Sequence, residues 1–269
     1  MIRDLIPLLE NIENPKYDNL HIIKWGSPVV SFGDLYSSKI ATLGINPSNK
    51  EFVNSKGDEL SGYERRFHTL NSLRLSNWSE AENEQLEQIT ELCKEYFHRN
   101  PYDNWFKKLD YVISGSSMSY YFPSSEACHL DLIPYATSKK WSDLSNNQRS
   151  TLLNLSSDFL GNLLKDSEIQ AIILNGQTVV DNLEKVCSTS FIKTEMGNWA
   201  LKRKRSSDIK GYSYKGNIDS IGCTKLKRKI KVLGYNHNIQ SSYGISNKIH
   251  NSIREWVSNE INLIFDESR

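Results

Sequence analysis

The chain is poor in cysteine, with only Cys93, Cys128, Cys187 and Cys223, and no two of these form a C-x-x-C pair. Such wide spacing argues against a zinc or iron–sulfur site. Met1 is not followed by a basic start and a long apolar stretch, so no export signal is expected. In that setting scattered cysteines read as reduced thiols. No run approaches the ~18 apolar residues of a membrane span. Charge of one sign is also lacking. The 33 Lys and Arg nearly balance the 32 Asp and Glu, for a net charge of +1. A protein that coats nucleic acid with a basic carpet is therefore excluded, and any nucleic-acid face must be local. The sequence has no G-x-S-x-G, no P-loop and no G-x-G-x-x-G, which counts against the commonest α/β hydrolases and nucleotide-binding enzymes. It has no internal repeat and no low-complexity linker. We expect a single domain over 1–269, cytoplasmic, monomeric and without a membrane partner.

What is present alternates between two periodicities. Helical spacing of apolar residues runs through 2–12, 80–98, 104–113, 146–164 and 246–265, and a further helix follows Asn175-Gly176. Ser246 is a plausible N-cap for the last helix. Short β-type runs lie at Lys39–Leu43, Ala127–Ile133, Gln170–Leu174 and Lys229–Leu233. The alternation predicts an α/β fold with a central, mostly parallel four-stranded sheet flanked by helices. A basic hairpin insertion is expected over about 189–231. Basic residues cluster at Arg65-Arg66, over Lys202-Arg203-Lys204-Arg205, and at Lys225, Lys227, Arg228, Lys229 and Lys231.

In parallel sheets the functional loops leave the carboxyl ends of strands. Four loops answer to that: Asn46 to Phe52, Asp131 to Thr137, Asn175 to Thr178, and Tyr235 to Gly244. In Gly44-Ile45-Asn46-Pro47-Ser48 the glycine permits a tight turn, and Pro47 biases Asn46 toward extended backbone. An amide fixed there can orient a water. That suffices when the leaving group departs early and the water attacks a cation-like sugar, as in glycoside cleavage. In the fourth loop, His237 follows a strand and precedes a helix. A His there can donate to an anion developing on a departing group, and the helix N-terminus favours negative charge. Ser241 and Ser242 suit contacts to phosphate.

Together these loops resemble the two hallmark motifs of the uracil-DNA glycosylase superfamily, over roughly residues 35–265. Gly44-Ile45-Asn46-Pro47-Ser48 is similar to the G-I-N-P-G or G-M-N-P-G loop of its mismatch-specific and single-strand-selective branches and differs at the last position. His237-Asn238-Ile239-Gln240-Ser241 stands where the family carries H-P-S-P and keeps the His without the prolines. Leu130-Asp131-Leu132-Ile133-Pro134 is similar to the H-N-L-C-P strand, with Asp131 at the Asn position. Pro101-Tyr102-Asp103-Asn104-Trp105-Phe106 looks like a stretch upstream of that strand.

The resemblance implies a partner, duplex or single-stranded DNA, from which the target nucleotide is extruded. It implies no metal and no organic cofactor. Asn46 would place the water, His237 would stabilise the departing base, and Asp131 would read its edge. Residues 238–243 (Asn238, Ile239, Gln240, Ser241, Ser242, Tyr243) would contact DNA, with Ile239 or Tyr243 as a wedge. An aromatic would stack on the base, with Phe67 and Phe52 as candidates and a plain core role as the favoured reading of each. Asn175 and Gln177 would touch DNA or sugar, or cap a helix. The basic segments, Lys229 included, would flank the DNA track. His129, two residues from Asp131, would be structural.

Two departures concern the base. An ionised carboxylate at Asp131 only accepts, which suits the amine of cytosine. Ser48 replaces the tyrosine that walls off ring position 5 in the uracil-restricted branch. Both features point to a 5-substituted cytosine, such as the glucosylated hydroxymethylcytosine of phage DNA, removed in antiviral defence. The competing expectations are repair of uracil or other deaminated bases, and a module that binds modified DNA without cutting.

Overall fold

A computed structural model describes residues 2–203 and 207–266. Lys204 and Arg205 of the basic run fall outside the described residues. The elements are α1 (Ile2–Glu13), β1 (Ile40–Gly44), α2 (Leu70–Leu73), α3 (Asn83–Lys94), α4 (Asp103–Ile113), β2 (Ala127–Asp131), α5 (Asn146–Asp166), β3 (Ala171–Asn175), α6 (Gln177–Val186), β4 (Ile192–Glu195), β5 (Tyr212–Ile221), β6 (Thr224–Tyr235) and α7 (Asn247–Asp266), with short 3₁₀ turns between them.

The α/β class holds, but the sheet has six strands rather than four. Its order is β2-β1-β3-β6-β5-β4. β2, β1, β3 and β6 run parallel, while β5 and β4 add an antiparallel wing. The hairpin expected as an insertion is therefore part of the central sheet. The segment read as a separate last strand is the second half of the 12-residue β6. Its first half pairs with β5 around a turn at Gly222, whose φ of 56° suits glycine.

Five-residue apolar runs form β1 and β3 because both faces are covered; all five residues of β3 are buried. α5 packs against β5 and β6, and α7 packs against β3, β6 and α4. α1 buries Leu5, Leu8, Leu9 and Ile12 at helical spacing. Two helix starts follow the sequence signals. Ser145 and Gln148 form a capping box on α5. Ser246 Oγ accepts the Ile249 N–H at 3.3 Å at the start of α7.

Register decides where the functional loops begin. Gly44 pairs with Asp131 and Asn175 pairs with Tyr235, so four strands end together along one edge of the sheet. Lys231 pairs with Ala171, the first residue of β3. Lys229 and its basic neighbours therefore lie at the opposite edge from those loops. There Lys227 pairs with Asp166, and Arg228 donates to the Ile169 and Ser167 carbonyls. The placement of Lys229 beside a DNA track is corrected accordingly. Among the described residues, no helix is long and apolar enough to cross a membrane.

Candidate active site

A cavity of about 420 Å³ opens at the edge where the parallel strands end. Its polar wall comes from Asn46, Glu51, His129, Asp131, Asn175 and Asn238, and its apolar wall from Phe32, Tyr102, Trp105, Phe106 and Val179. A wider, open hollow along Asp181, Glu184, Lys185 and Ser188 to Ser190 has neither an aromatic wall nor a strand-end group.

Asn46 is braced from the loop after β2. Its Nδ2 donates to the Tyr135 carbonyl at 3.3 Å, to Thr137 Oγ1 at 3.1 Å and to the Pro47 carbonyl at 3.2 Å. With the nitrogen so committed, Oδ1 is the atom left to hold a water. Ser48, exposed at the rim, accepts the Lys50 N–H at 3.2 Å and starts the 3₁₀ turn Asn49–Glu51. That turn carries Glu51 into the cavity.

His129 and Asp131 project from the same face of β2, as the two-residue strand period requires. His129 Nε2 lies 3.4 Å from Asp131 Oδ1, and its Nδ1 lies 2.7 Å from Thr42 Oγ1. Thr42 in turn hydrogen-bonds Tyr120 Oη. The structural role expected for His129 thus has definite content: it links Asp131 to a buried chain of hydroxyls. Phe32 reaches the cavity through a pair of backbone bonds with His129, at 2.9 and 3.0 Å.

Asn175 and Asn238 shape the far wall. Asn175 Oδ1 accepts the Ile239 N–H at 3.1 Å and its Nδ2 donates to Gln240 Oε1. Asn175 is thus a buried brace for the 238–240 loop. Asn238 Oδ1 accepts the N–H groups of Gln240 and Ser241, each at 3.0 Å. That leaves its NH₂ as a donor at the cavity. Gln177 is occupied structurally, accepting from Tyr214 Oη at 2.6 Å and donating to Asp181.

Several sequence expectations are redistributed. His237 is 3 % exposed and does not line the cavity; its Nε2–H donates to the Trp199 carbonyl at 2.8 Å. Burial lowers its pKa, the Trp199 bond opposes this, and Arg203 adds to the lowering. The residue after it, Asn238, takes the cavity position. Phe52 and Phe67 belong to the buried aromatic core, Phe52 edge-on to Trp25 and Phe67 stacked on Tyr96 at 5.2 Å. The half-buried Tyr102 and Trp105 line the cavity instead. Ile239 is 5 % exposed and cannot serve as a wedge, whereas Tyr243 is 82 % exposed with the Arg203 guanidinium 5.6 Å from its ring centroid. Ser241 is exposed and Ser242 half-buried on the same loop.

Sequence reasoning missed Glu51, which is 3 % exposed yet lines the cavity. It accepts from Tyr96 Oη at 2.9 Å, and Arg66 Nε stands 3.9 Å away. Burial raises its carboxyl to about 7, against the pull of Arg66 and of the Tyr96 bond, and Asp131 adds to the rise. No signal in the loop N-K-E-F marks that glutamate. Tyr102 and Trp105 were within reach, because their segment already stood out as a motif.

No family model matches the chain, and no curated protein matches it in sequence.

Proposed function

We propose that the protein is a monofunctional DNA glycosylase that extrudes a modified pyrimidine and hydrolyses its bond to deoxyribose, leaving an abasic site. The base is a 5-substituted cytosine, of the class that includes hydroxymethylcytosine and its glucosylated form in phage DNA. The observation that carries this reading is the convergence of Asn46 Oδ1, Asp131 and the Asn238 amide on one aromatic-walled cavity. Asn46 holds the attacking water. Asp131 accepts from the exocyclic amine of the base. Asn238 donates to the base as negative charge develops on it, the part first expected of His237. Tyr102 or Trp105 stacks on the ring. Ser48 leaves the rim open for a substituent. The volume falls within the about 300–1,000 Å³ usual for small-molecule sites.

DNA would lie across the rim, where Tyr243 is exposed with the half-buried Arg203 beside its ring. Incubation with duplex and single-stranded DNA carrying uracil, mismatched thymine, hydroxymethylcytosine or glucosylated hydroxymethylcytosine tests the reading. Free base and alkali-labile sites are expected from the cytosine derivatives, and Asn46→Ala should slow their release by about 10²-fold or more.

One observation favours a second reading. With His237 turned to the Trp199 carbonyl, the imidazole left in the cavity wall is His129, whose two nitrogens are engaged by Asp131 and Thr42 rather than free to support a leaving base. A module that reads a modified base without cutting needs no such support. That reading takes precedence if no base is released and Asn46→Ala binds modified DNA as well as the native protein does.

A further inference from the structure

We infer that Glu51 is the proton donor to the departing base, which makes the substrate a base whose anion leaves poorly, as a cytosine-type pyrimidine does. The inference rests on the glycosylase reading and adds a catalytic residue to it.

The geometry assigns the two carboxyl oxygens. Tyr96 Oη accepts the Tyr102 N–H at 2.9 Å, so its single hydrogen is free to point at Glu51 Oε2, 2.9 Å away. Arg66 Nε also approaches that oxygen, at 3.9 Å. Oε2 thereby has a donor in Tyr96 and a positive charge nearby in Arg66, whose Nε–H itself donates to the Asn100 carbonyl, and the carboxyl proton belongs on Oε1, the oxygen left for a ligand. The charged and titratable groups around Glu51 are Arg66 and Tyr96 behind it, Lys50 beside it, and Asp131, His129 and Lys140 on the cavity wall. Burial and Asp131 favour the neutral acid, and Arg66 favours the anion. The balance leaves a carboxyl that is protonated in part near neutral pH, as a general acid requires.

The pair of carboxyls also matches one base edge. Cytosine presents an amine donor beside the acceptor N3. Asp131 accepts from the amine, and the Glu51 carboxyl, with its proton on Oε1, donates to N3. Uracil presents the reverse order at the same two atoms.

The step balances without a co-reactant. The bond between C1′ and N1 breaks and its electron pair stays on the base. The Glu51 proton passes to N3, so the base leaves neutral. The water on Asn46 adds through oxygen to C1′, and the proton it loses restores Glu51.

The test is single-turnover excision from duplex DNA carrying hydroxymethylcytosine or its glucosylated form, measured from pH 5.5 to 9. The native rate should fall about tenfold per pH unit above about 7, because the donor is then ionised. Glu51→Gln should cut the rate by about 10²–10⁴-fold and flatten that limb. Its deficit should shrink on 5-fluorocytosine, whose anion leaves more readily, while binding to abasic-site DNA stays native. Tyr96→Phe removes a donor to the carboxylate and should move the limb to higher pH. A Glu51→Gln protein that keeps the native rate or the native limb overturns the donor role, as does an equal deficit on both leaving groups. Release of uracil and of no cytosine derivative overturns the base class. A native protein that releases no base at all overturns the glycosylase reading, and the donor role with it.

Discussion

Gly44 and Asp131 are register partners on β1 and β2, and a Cβ on Gly44 would meet Asp131 Oδ1 at 2.3 Å and His129 Nε2 at 3.0 Å. The glycine of the first loop thus makes room for the carboxylate of the second, besides allowing the turn. Gly44→Ala should push Asp131 off its line to the cavity. Because a displacement of about 1 Å can cost about 10²-fold in rate, excision should fall by about that much. Comparison of rate with melting temperature checks this: the rate should drop far more than the fold weakens.

Asp131 sets the base in the proposed function, so Asp131→Asn should change preference rather than abolish activity. An amide can donate to a carbonyl where the carboxylate could only accept. The ratio of uracil to cytosine-derivative excision should rise by about 1–3 kcal/mol of discrimination. Competition between the two DNAs in one reaction reads it directly. An unchanged ratio would remove Asp131 from base recognition.

The loops at the strand ends were legible in the sequence because glycine and proline punctuation ended each apolar run at a polar residue. Asn46, Asp131 and Asn175 accordingly arrive at one cavity. A hairpin was expected over about 189–231, but its place in the central sheet was not legible: β4 is exposed along its length and β5 mixes polar and apolar residues, so neither carries a buried-strand signature. His237 and Asn238 are adjacent, and periodicity cannot tell which of two neighbours in a loop faces inward. Glu51 escaped because a buried carboxylate is betrayed by its partners, Tyr96 and Arg66, and these are distant in sequence.

The exchange between His237 and Asn238 is open to a paired test. His237→Leu should leave excision per folded molecule within a few-fold of native. It should weaken the fold by about 1–3 kcal/mol, since the Trp199 carbonyl loses its donor inside the protein. Asn238→Ala should instead lower the rate by about 10²–10³-fold. Denaturant titration alongside single-turnover kinetics separates the two effects.

Tyr243 and Ile239 share a loop but face opposite ways. Ile239→Ala opens a space under the loop and should cost about 2–4 kcal/mol of stability. Tyr243→Ala should leave stability within about 0.5 kcal/mol and weaken binding to duplex DNA more than to single strands, because only the duplex needs a wedge to expel a base. Binding titrations on both DNAs decide it; equal losses on both would deny Tyr243 that role.

Glu51 should also govern how the fold responds to pH, whatever the protein cuts. Its carboxyl rises from the ordinary 4.5 to about 7 on folding. Between those values the folded protein holds a proton that the unfolded chain has released. Raising the pH through that window therefore weakens the fold. The full effect is about 3 kcal/mol. His68, held down to about 4 by burial with Arg65 and Arg99 adding, acts in the opposite direction between 4 and 6.5. Comparison with Glu51→Gln cancels His68 and isolates the glutamate. The stability of Glu51→Gln relative to the native protein should climb from pH 4.5 to pH 8, as read by urea unfolding. A flat difference across that range would mean that Glu51 is already ionised in the folded protein at acid pH.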